Sequence, residues 1–459
     1  MGDESYDLVV LGGGPGGYAC AIRAAELGKR VALIEKDPRL GGTCLLRGCI
    51  PTKALLRSAE VLDDVRRSEE WGVKASGEPD WEGIRAYQSK IVDKLVTGLT
   101  GIVKSRKIEV IQGEGRLRPG PQIEVDGRTI QAADVVLATG SFPKMLPDVQ
   151  ISERVVTSDQ ALTLEFLPAS AVVVGAGAVG LEFASFYRSM GAEVTILEAD
   201  SRLAPLEDEE MSKELARAFR RRGIQSKTGV SVDGVADRGD HVEVAYRDGA
   251  ATTAIKSELC LIAVGRGPVS DGIGYEETGV ELDRGFVKVN GTLATTVPHV
   301  WAIGDVASTP LQFAHVAFAE GISVAERTAG LDPAEIDYVG VPRVTFCTPE
   351  VASVGLTEAQ ALERGYLLEV ERFSLQGLGK ANIIGEGGMT KLIAEKDGPM
   401  LGIHMIGPRV TDLISEAMLT TNWEALPVDI ATLIHPHPTL GEAIGEAALA
   451  LAGKPLHTA

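Results

Sequence analysis

Residues 7–35, DLVVLGGGPGGYACAIRAAELGKRVALIE, decide the fold. The strand-like run 7–11 leads into Gly12-Gly13-Gly14-Pro15-Gly16-Gly17, then a stretch of small residues closing near Leu27 and Gly28, then an apolar run, 31–34, ending on Glu35. The order is strand, glycine turn, helix, strand and acid. In such a unit the first glycine makes the tight turn, the second lets backbone approach a pyrophosphate, and the third lets helix and strand pack. The helix N-terminus then offers unpaired N–H groups to the phosphates. Gly12, Gly14, Gly17 and Glu35 therefore read as a dinucleotide site.

A glycine pattern on its own is also compatible with an ordinary turn, but here it recurs. Residues 171–174 lead into Gly175-Ala176-Gly177-Ala178-Val179-Gly180, a helical run to Gly191, the apolar run 194–197 and Glu198. Glu35 and Glu198 each lie 23 positions beyond their first glycine, Gly12 and Gly175. Two further runs echo each other, 135–138 entering Thr139-Gly140 and 259–264 entering Gly265-Arg266, each as the closing strand of a nucleotide domain. The expectation is an α/β chain with two Rossmann-like dinucleotide-binding domains. The simplest pair of ligands is a flavin and a nicotinamide, FAD and NAD. Each acid would accept hydrogen bonds from an adenosine ribose, and Glu198 would repel a 2′-phosphate. That favours NAD over NADP, although Arg202 nearby leaves a cation available to such a phosphate.

Between the two units lies Gly41-Gly42-Thr43-Cys44-Leu45-Leu46-Arg47-Gly48-Cys49-Ile50-Pro51-Thr52-Lys53, followed by a helical run from Ala54. A spacing of five is too wide for C-x-x-C redox chemistry, and no second pair or nearby histidine suggests zinc. A disulfide across one distorted helical turn stays open, because linked Cα atoms need lie only about 4.4 to 6.8 Å apart. The other three cysteines, Cys20, Cys260 and Cys347, sit in or beside apolar runs and read as small core side chains. The 459 residues exceed one ordinary domain. A net charge of −19 argues against nucleic acid or an anionic membrane surface and suits a partner with a basic face. No run of 18 apolar residues occurs and the start is acidic, so neither a membrane span nor a signal peptide is expected, and a cytoplasmic protein is.

The end of the chain carries His435-Pro436-His437-Pro438-Thr439-Leu440-Gly441-Glu442. Prolines on both sides stiffen the loop around His437, and Glu442 can hydrogen-bond its ring and fix the tautomer. His299, His404 and His457 lack such a setting and read as surface groups.

Taken together these segments resemble the pyridine nucleotide-disulfide oxidoreductases. The resemblance spans the whole chain: the first fingerprint, the Cys44–Cys49 segment, the second fingerprint, Trp301-Ala302-Ile303-Gly304-Asp305 and the histidine motif. It implies FAD in the first Rossmann unit and NAD in the second, with Cys49 facing the flavin as charge-transfer thiolate and Cys44 exchanging with a substrate dithiol. It places Lys53 near the flavin N5, Asp305 at its ribityl-phosphate region and Gln312, Phe313, Ala314 and His315 at its pyrimidine side. Thr43, Gly115, Thr139, Gly140, Glu182, Val232 and Gly265 join the glycines and acids as cofactor-binding positions, and no metal is implied. His437, paired with Glu442, would be the base that deprotonates a dihydrolipoyl thiol.

The implied division is an FAD-binding domain at 1–147, an NAD-binding domain at 148–268, a central domain completing the FAD site at 269–340 and an α+β interface domain at 341–459. A homodimer with shared sites follows, His437 serving the disulfide of the other chain. The implied partners are lipoyl-bearing proteins of 2-oxo acid dehydrogenase or glycine cleavage complexes. Leu46 stands where the family commonly has asparagine, with Arg47 after it, so contacts around the thiols are expected to differ. A glutathione-reductase-like activity and a non-catalytic docking subunit are the competing readings. Glu198 speaks against the first, and the intact thiols and base against the second.

Overall fold

The computed structural model describes residues 5–457. Residues 8–11 are buried, as expected of a central parallel strand covered by helices on both faces. Strand Ser5–Leu11 pairs in parallel with Val31–Glu35 (Leu8 opposite Val31) and with Arg128–Leu137 (Val9 opposite Val135). The connecting helix, Pro15–Glu26, has proline at its first position, where the missing N–H costs no hydrogen bond, and it buries Cys20, Ala21 and Ala24.

The sheet has seven strands. Glu109–Gln112, Val31–Glu35, Ser5–Leu11, Arg128–Leu137, Gln122–Val125 and Gly115–Arg118 follow in spatial order, while Val300–Ala302 pairs with the end of Arg128–Leu137. A late part of the chain thus completes an early sheet. Helix Ala314–Thr328 also packs on helix Pro15–Glu26, and the approach is close enough to demand glycine. A Cβ on Gly321 would lie 2.4 Å from the Gly16 carbonyl oxygen. These elements form one compact unit, made of residues up to Leu55, Glu82–Lys144 and Arg266–Tyr338.

The second compact unit comprises Leu56–Trp81, Met145–Gly265 and the chain from Val339 onward. Its parallel sheet repeats the first topology, with Ile224–Thr228, Glu193–Glu198, Ser170–Val174, Leu259–Ile262 and Val155–Val156 in order. A three-stranded antiparallel sheet, Ser231–Asp237, Val242–Asp248 and Ala251–Ser257, precedes the closing strand. The C-terminal part is a five-stranded antiparallel sheet, ordered Arg343–Thr345, Glu350–Gly355, Met400–Gly407, Met389–Glu395 and Leu368–Ser374. Helices Val410–Asn422 and Glu442–Leu451 share its core. The architecture is α/β with two Rossmann-like domains and an α+β domain at the end.

Cys20, Cys260 and Cys347 are fully buried, as small core side chains should be. His404 departs from expectation. It is fully buried, its Nε2–H donating to the Leu356 carbonyl at 2.9 Å, and burial lowers its pKa, whereas His299 and His457 are exposed. Strand Met400–Gly407 is apolar on both sides of His404 and carries the imidazole into the core.

Lys391 is buried too, its Nζ 2.9 Å from Asp208 Oδ1, 2.9 Å from Glu210 Oε1 and 2.7 Å from Glu358 Oε2. Asp208 also caps helix Glu209–Arg221, accepting from the Glu210 N–H. Removing the cation strands a buried carboxylate. Lys391→Ala is therefore expected to cost about 3–5 kcal/mol in denaturant unfolding, the usual penalty for breaking a buried ion pair from one side. A loss under about 1 kcal/mol would show that the site relaxes by hydration.

Candidate active site

Both glycine turns have the shape a dinucleotide requires. Gly12 has φ +112° and Gly175 φ +105°, and a Cβ at either would fall on a carbonyl oxygen, 2.2 Å from that of Ala138 and 2.3 Å from that of Ala263. The third glycines pack against the first, so that a Cβ on Gly17 or Gly180 would meet the Gly12 or Gly175 carbonyl oxygen. The second glycines are different. A Cβ on Gly177 would meet nothing within 4 Å, and one on Gly14 only Gly42 Cα at 3.7 Å, which leaves a cradle in front of each helix N-terminus. The residues present fit FAD and NAD phosphates.

At the tips, Glu35 accepts from Gly13 N–H (2.6 Å) and Asp37 N–H (2.8 Å), and Glu198 accepts from Ala176 N–H and from Asp200 N–H (2.7 Å). Each carboxylate is thus locked to its own glycine turn. Arg202 is committed elsewhere, donating to the carbonyls of Pro205 (2.8 Å) and Glu207 (3.1 Å), so the cation that left the NADP question open is tied into its own loop.

The thiol segment forms two helices, Gly42–Arg47 and Cys49–Arg67, broken at Gly48. The helix starts at Cys49 rather than Ala54, which places Lys53 one turn beyond Cys49 on the same face. Cys44 is hydrogen-bonded with Cys49, and this bond, then burial, then the nearby Cys49 and Asp305 hold its thiol well above the ordinary range, while Lys53 pulls the other way. Tyr18 borders the pair. Burial pushes its phenol up to about 12, with Cys44 and Cys49 adding to the effect. The Leu46-Arg47 departure has a structural meaning: Leu46 packs into the core under the first sheet, and the Arg47 guanidinium pairs with the Asp37 carboxylate beside Glu35.

Asp305 sits in the turn after strand Val300–Ala302. Its carboxylate accepts from the Ser141 hydroxyl, and Ser141 in turn accepts from Arg266 Nε at 2.7 Å. Arg266 Nη2 reaches the Ser141 carbonyl (2.8 Å) and Thr43 Oγ1 (3.4 Å), so one guanidinium joins the thiol segment to the Asp305 turn. Gln312 Nε2 donates to the Asp305 carbonyl at 3.2 Å, and Phe313 stacks on His315 with centroids 5.2 Å apart, at the N-terminus of helix Ala314–Thr328. Beneath that turn Glu320 is fully buried, accepting from Gly304 N–H (2.6 Å) and the Tyr338 hydroxyl (2.8 Å), and burial pushes its carboxyl up to about 6.

Tyr18, Ser141, Arg266, Glu320 and Tyr338 were not legible in sequence as site residues. Only the Gly265-Arg266 echo hinted at one of them. Gln112 is another, its Nε2 donating to the carbonyls of Glu35, Lys36 and Asp37.

Gly115, Thr139, Gly140, Gly265, Val232 and Glu182 were also expected at the cofactors. Gly115 opens a strand against Leu11 and Ile34, where a Cβ would lie 2.5 Å from Leu11 Cδ1. Thr139 donates its hydroxyl to the Val269 carbonyl (2.6 Å) beside Gly140. Gly265 ends the second Rossmann sheet with open space before it, and Val232 lies at a bulge in the antiparallel sheet. Glu182 is buried in helix Ala178–Ser189 and accepts from Phe346 N–H at 3.1 Å.

In the second unit His437 Nδ1 lies 2.8 Å from Glu442 Oε1, with the ring 74% exposed. The other carboxylate oxygen accepts from Thr439 N–H (2.8 Å), and the Thr439 hydroxyl donates to the Pro436 carbonyl (2.7 Å). Burial works against the ionised Glu442, but the Thr439 N–H and His437 outweigh it and lower its pKa. The arrangement fixes Nδ1 and leaves Nε2 as the outward proton acceptor.

Two dinucleotide cradles, a dithiol beside the first and a carboxylate-anchored histidine define a flavin- and nicotinamide-dependent disulfide oxidoreductase. Residues 6–321 match the pyridine nucleotide-disulphide oxidoreductase family profile, and residues 341–448 match the dimerisation domain of the same family. The chain belongs to the pyridine nucleotide-disulphide oxidoreductase family. It is 43% identical to a dihydrolipoyl dehydrogenase of Bacillus subtilis over 98% of this chain and 99% of that one, and 39% identical to the mitochondrial dihydrolipoyl dehydrogenase of Pisum sativum over 99% and 93%. Among solved structures, LpdA from Mycobacterium tuberculosis superposes with a TM-score of 0.90 at 27% identity, covering 98% of this chain and 99% of that one. The flavoprotein disulfide reductase RclA from Escherichia coli gives 0.87 at 27% identity, covering 98% and 100%.

Proposed function

We propose that this protein oxidises dihydrolipoyl groups and delivers their electrons to NAD⁺ as a cytoplasmic homodimer, serving lipoyl-bearing proteins of 2-oxo acid dehydrogenase or glycine cleavage complexes. The observation that carries the reading is the Cys44–Cys49 pair, hydrogen-bonded in the same unit as the first nucleotide cradle. In the oxidised enzyme the two sulfurs form a disulfide. His437 removes a proton from one substrate thiol, and the thiolate attacks Cys44 Sγ, breaking the bond to Cys49. The second substrate thiolate then displaces Cys44, closing the lipoyl ring and leaving both cysteines reduced. Bound FAD would supply the two-electron chemistry that links the reduced thiols, through Cys49, to NAD⁺.

In this reading Gly12, Gly14, Gly17, Glu35, Thr43, Lys53, Gly115, Thr139, Gly140, Asp305 and Gln312 to His315 hold FAD. Gly175, Gly177, Gly180, Glu182, Glu198, Val232 and Gly265 hold NAD. The working division is 1–147, 148–268, 269–340 and 341–459. His437 and Glu442 serve the thiols of the partner subunit. Trp423 and Ile434, 76% and 98% exposed in the single chain, support burial of this region in a dimer. Among the described residues no helix is long and apolar enough to cross a membrane.

The test is a substrate panel on the purified yellow protein: dihydrolipoamide with NAD⁺, and lipoamide or glutathione disulfide with NADH or NADPH. Dihydrolipoamide with NAD⁺ is the expected pair; preferential reduction of glutathione disulfide by NADPH would overturn the reading. In the same assay Glu198→Ala is expected to raise KM for NADH and narrow its preference over NADPH, because the ribose acceptor and the charge that repels a 2′-phosphate leave together. An unchanged preference would place nucleotide selection elsewhere.

A further inference from the structure

Two residues before His437 stands a second histidine with its own carboxylate. His435 Nε2 lies 2.7 Å from Glu416 Oε1 on helix Val410–Asn422, and its side chain is only 14% exposed, against 74% for His437. The ring is wedged against Gly445 of helix Glu442–Leu451, where a Cβ would come within 2.5 Å of His435 Nδ1. Glycine is required there by the imidazole, since Gly445 has ordinary helical backbone. The hydrogen bond to Glu416 raises the His435 pKa, burial opposing it, so the contact approaches a charge-assisted bond.

The loop between these helices is therefore pinned at both ends. Glu416 and Gly445 fix residue 435, and Glu442, through Thr439 N–H and the His437 ring, fixes residues 437 and 439. Pro436 and Pro438 leave few backbone torsions between the pins. We propose that the His435–Glu416 pair is a positioning device for the base, setting the direction in which His437 presents Nε2 to the substrate thiol. The inference rests on His437 being that base.

Its consequence is selective. A base displaced by about 1 Å can lose on the order of 10² in rate, while flavin reduction by NADH makes no use of it. The holoenzyme is assayed as wild type and as His435→Ala, His435→Gln, Gly445→Ala and His437→Ala, for dihydrolipoamide turnover, NADH-driven dye reduction, FAD content and dimer mass. His435→Ala is expected to lower dihydrolipoamide kcat by about 10²-fold with KM and dye reduction unchanged. His435→Gln, which can still donate to Glu416, restores most of that rate. Gly445→Ala, which displaces the ring and keeps both partners, reproduces the loss.

If His435→Ala and Gly445→Ala keep full dihydrolipoamide turnover while His437→Ala loses it, the positioning role is overturned and the base stands. If His435→Ala and Gly445→Ala lose dye reduction and dimer mass in step with turnover, the pair only supports the fold, which also overturns the proposal. If His437→Ala itself stays active, the base reading falls and this inference with it.

Discussion

Dihydrolipoamide turnover is expected to fall to background in Cys44→Ser, while NADH-driven reduction of artificial dyes persists. A serine hydroxyl cannot form the bond that the substrate thiolate must break, so no mixed disulfide arises and no electrons leave the substrate. The dye reaction enters from the nicotinamide side and bypasses the exchange sulfur. Serine is nearly isosteric with cysteine, so a hydroxyl takes the place of the Cys44 thiol in helix Gly42–Arg47 with little disturbance, and FAD content is expected to stay at the wild-type level. Near-normal dihydrolipoamide turnover in this variant would remove the thiol relay from the mechanism. Equal loss of dye reduction would instead point to a damaged flavin site.

Replacing His437 by Ala is expected to lower dihydrolipoamide turnover by about 10² to 10⁴, the usual contribution of a positioned general base. Mixing then separates chemistry from architecture. Dimers reassembled from inactive Cys44→Ser and inactive His437→Ala chains carry one site with both an intact disulfide and an intact base if the sites are shared between chains. Activity should return in such hybrids, approaching half of the wild-type value. Hybrids that form, as shown by differential tags, and yet remain inactive would mean that His437 serves its own chain or is not the base.

The parts of this molecule that were legible in the sequence are those where local chemistry leaves little freedom. Gly12 and Gly175 announce their turns because any Cβ would strike a carbonyl oxygen, and the strands around them differ from the expected spans only at their ends. Glu442 is found from His437 because five positions and a proline-stiffened loop bring them together. Long-range partners carry no such mark. Ser141 and Arg266 meet Asp305 and Thr43 across sequence separations that no local pattern encodes. Glu320 looks like one more acid on a helix until its neighbours bury it. His404 reads as a surface histidine for the same reason, and helix Trp81–Ser105 goes unforeseen because its many charged positions hide a single buried stripe at Gln88, Val92, Val96, Leu99 and Val103.

The pairing of helix Pro15–Glu26 with helix Ala314–Thr328 also sets an order of events during synthesis. At about 5–20 residues per second, roughly 15 to 60 seconds separate translation of the first helix from translation of its partner. Throughout that interval the nascent chain carries an amino-terminal domain that lacks strand Val300–Ala302 and has one helix face bare. The second Rossmann-like sheet, encoded wholly within that interval, can close its five strands first. The domain that holds helix Pro15–Glu26 is the later one to be finished, and a chain cut short before Ala314 keeps apolar surface exposed and prone to aggregation.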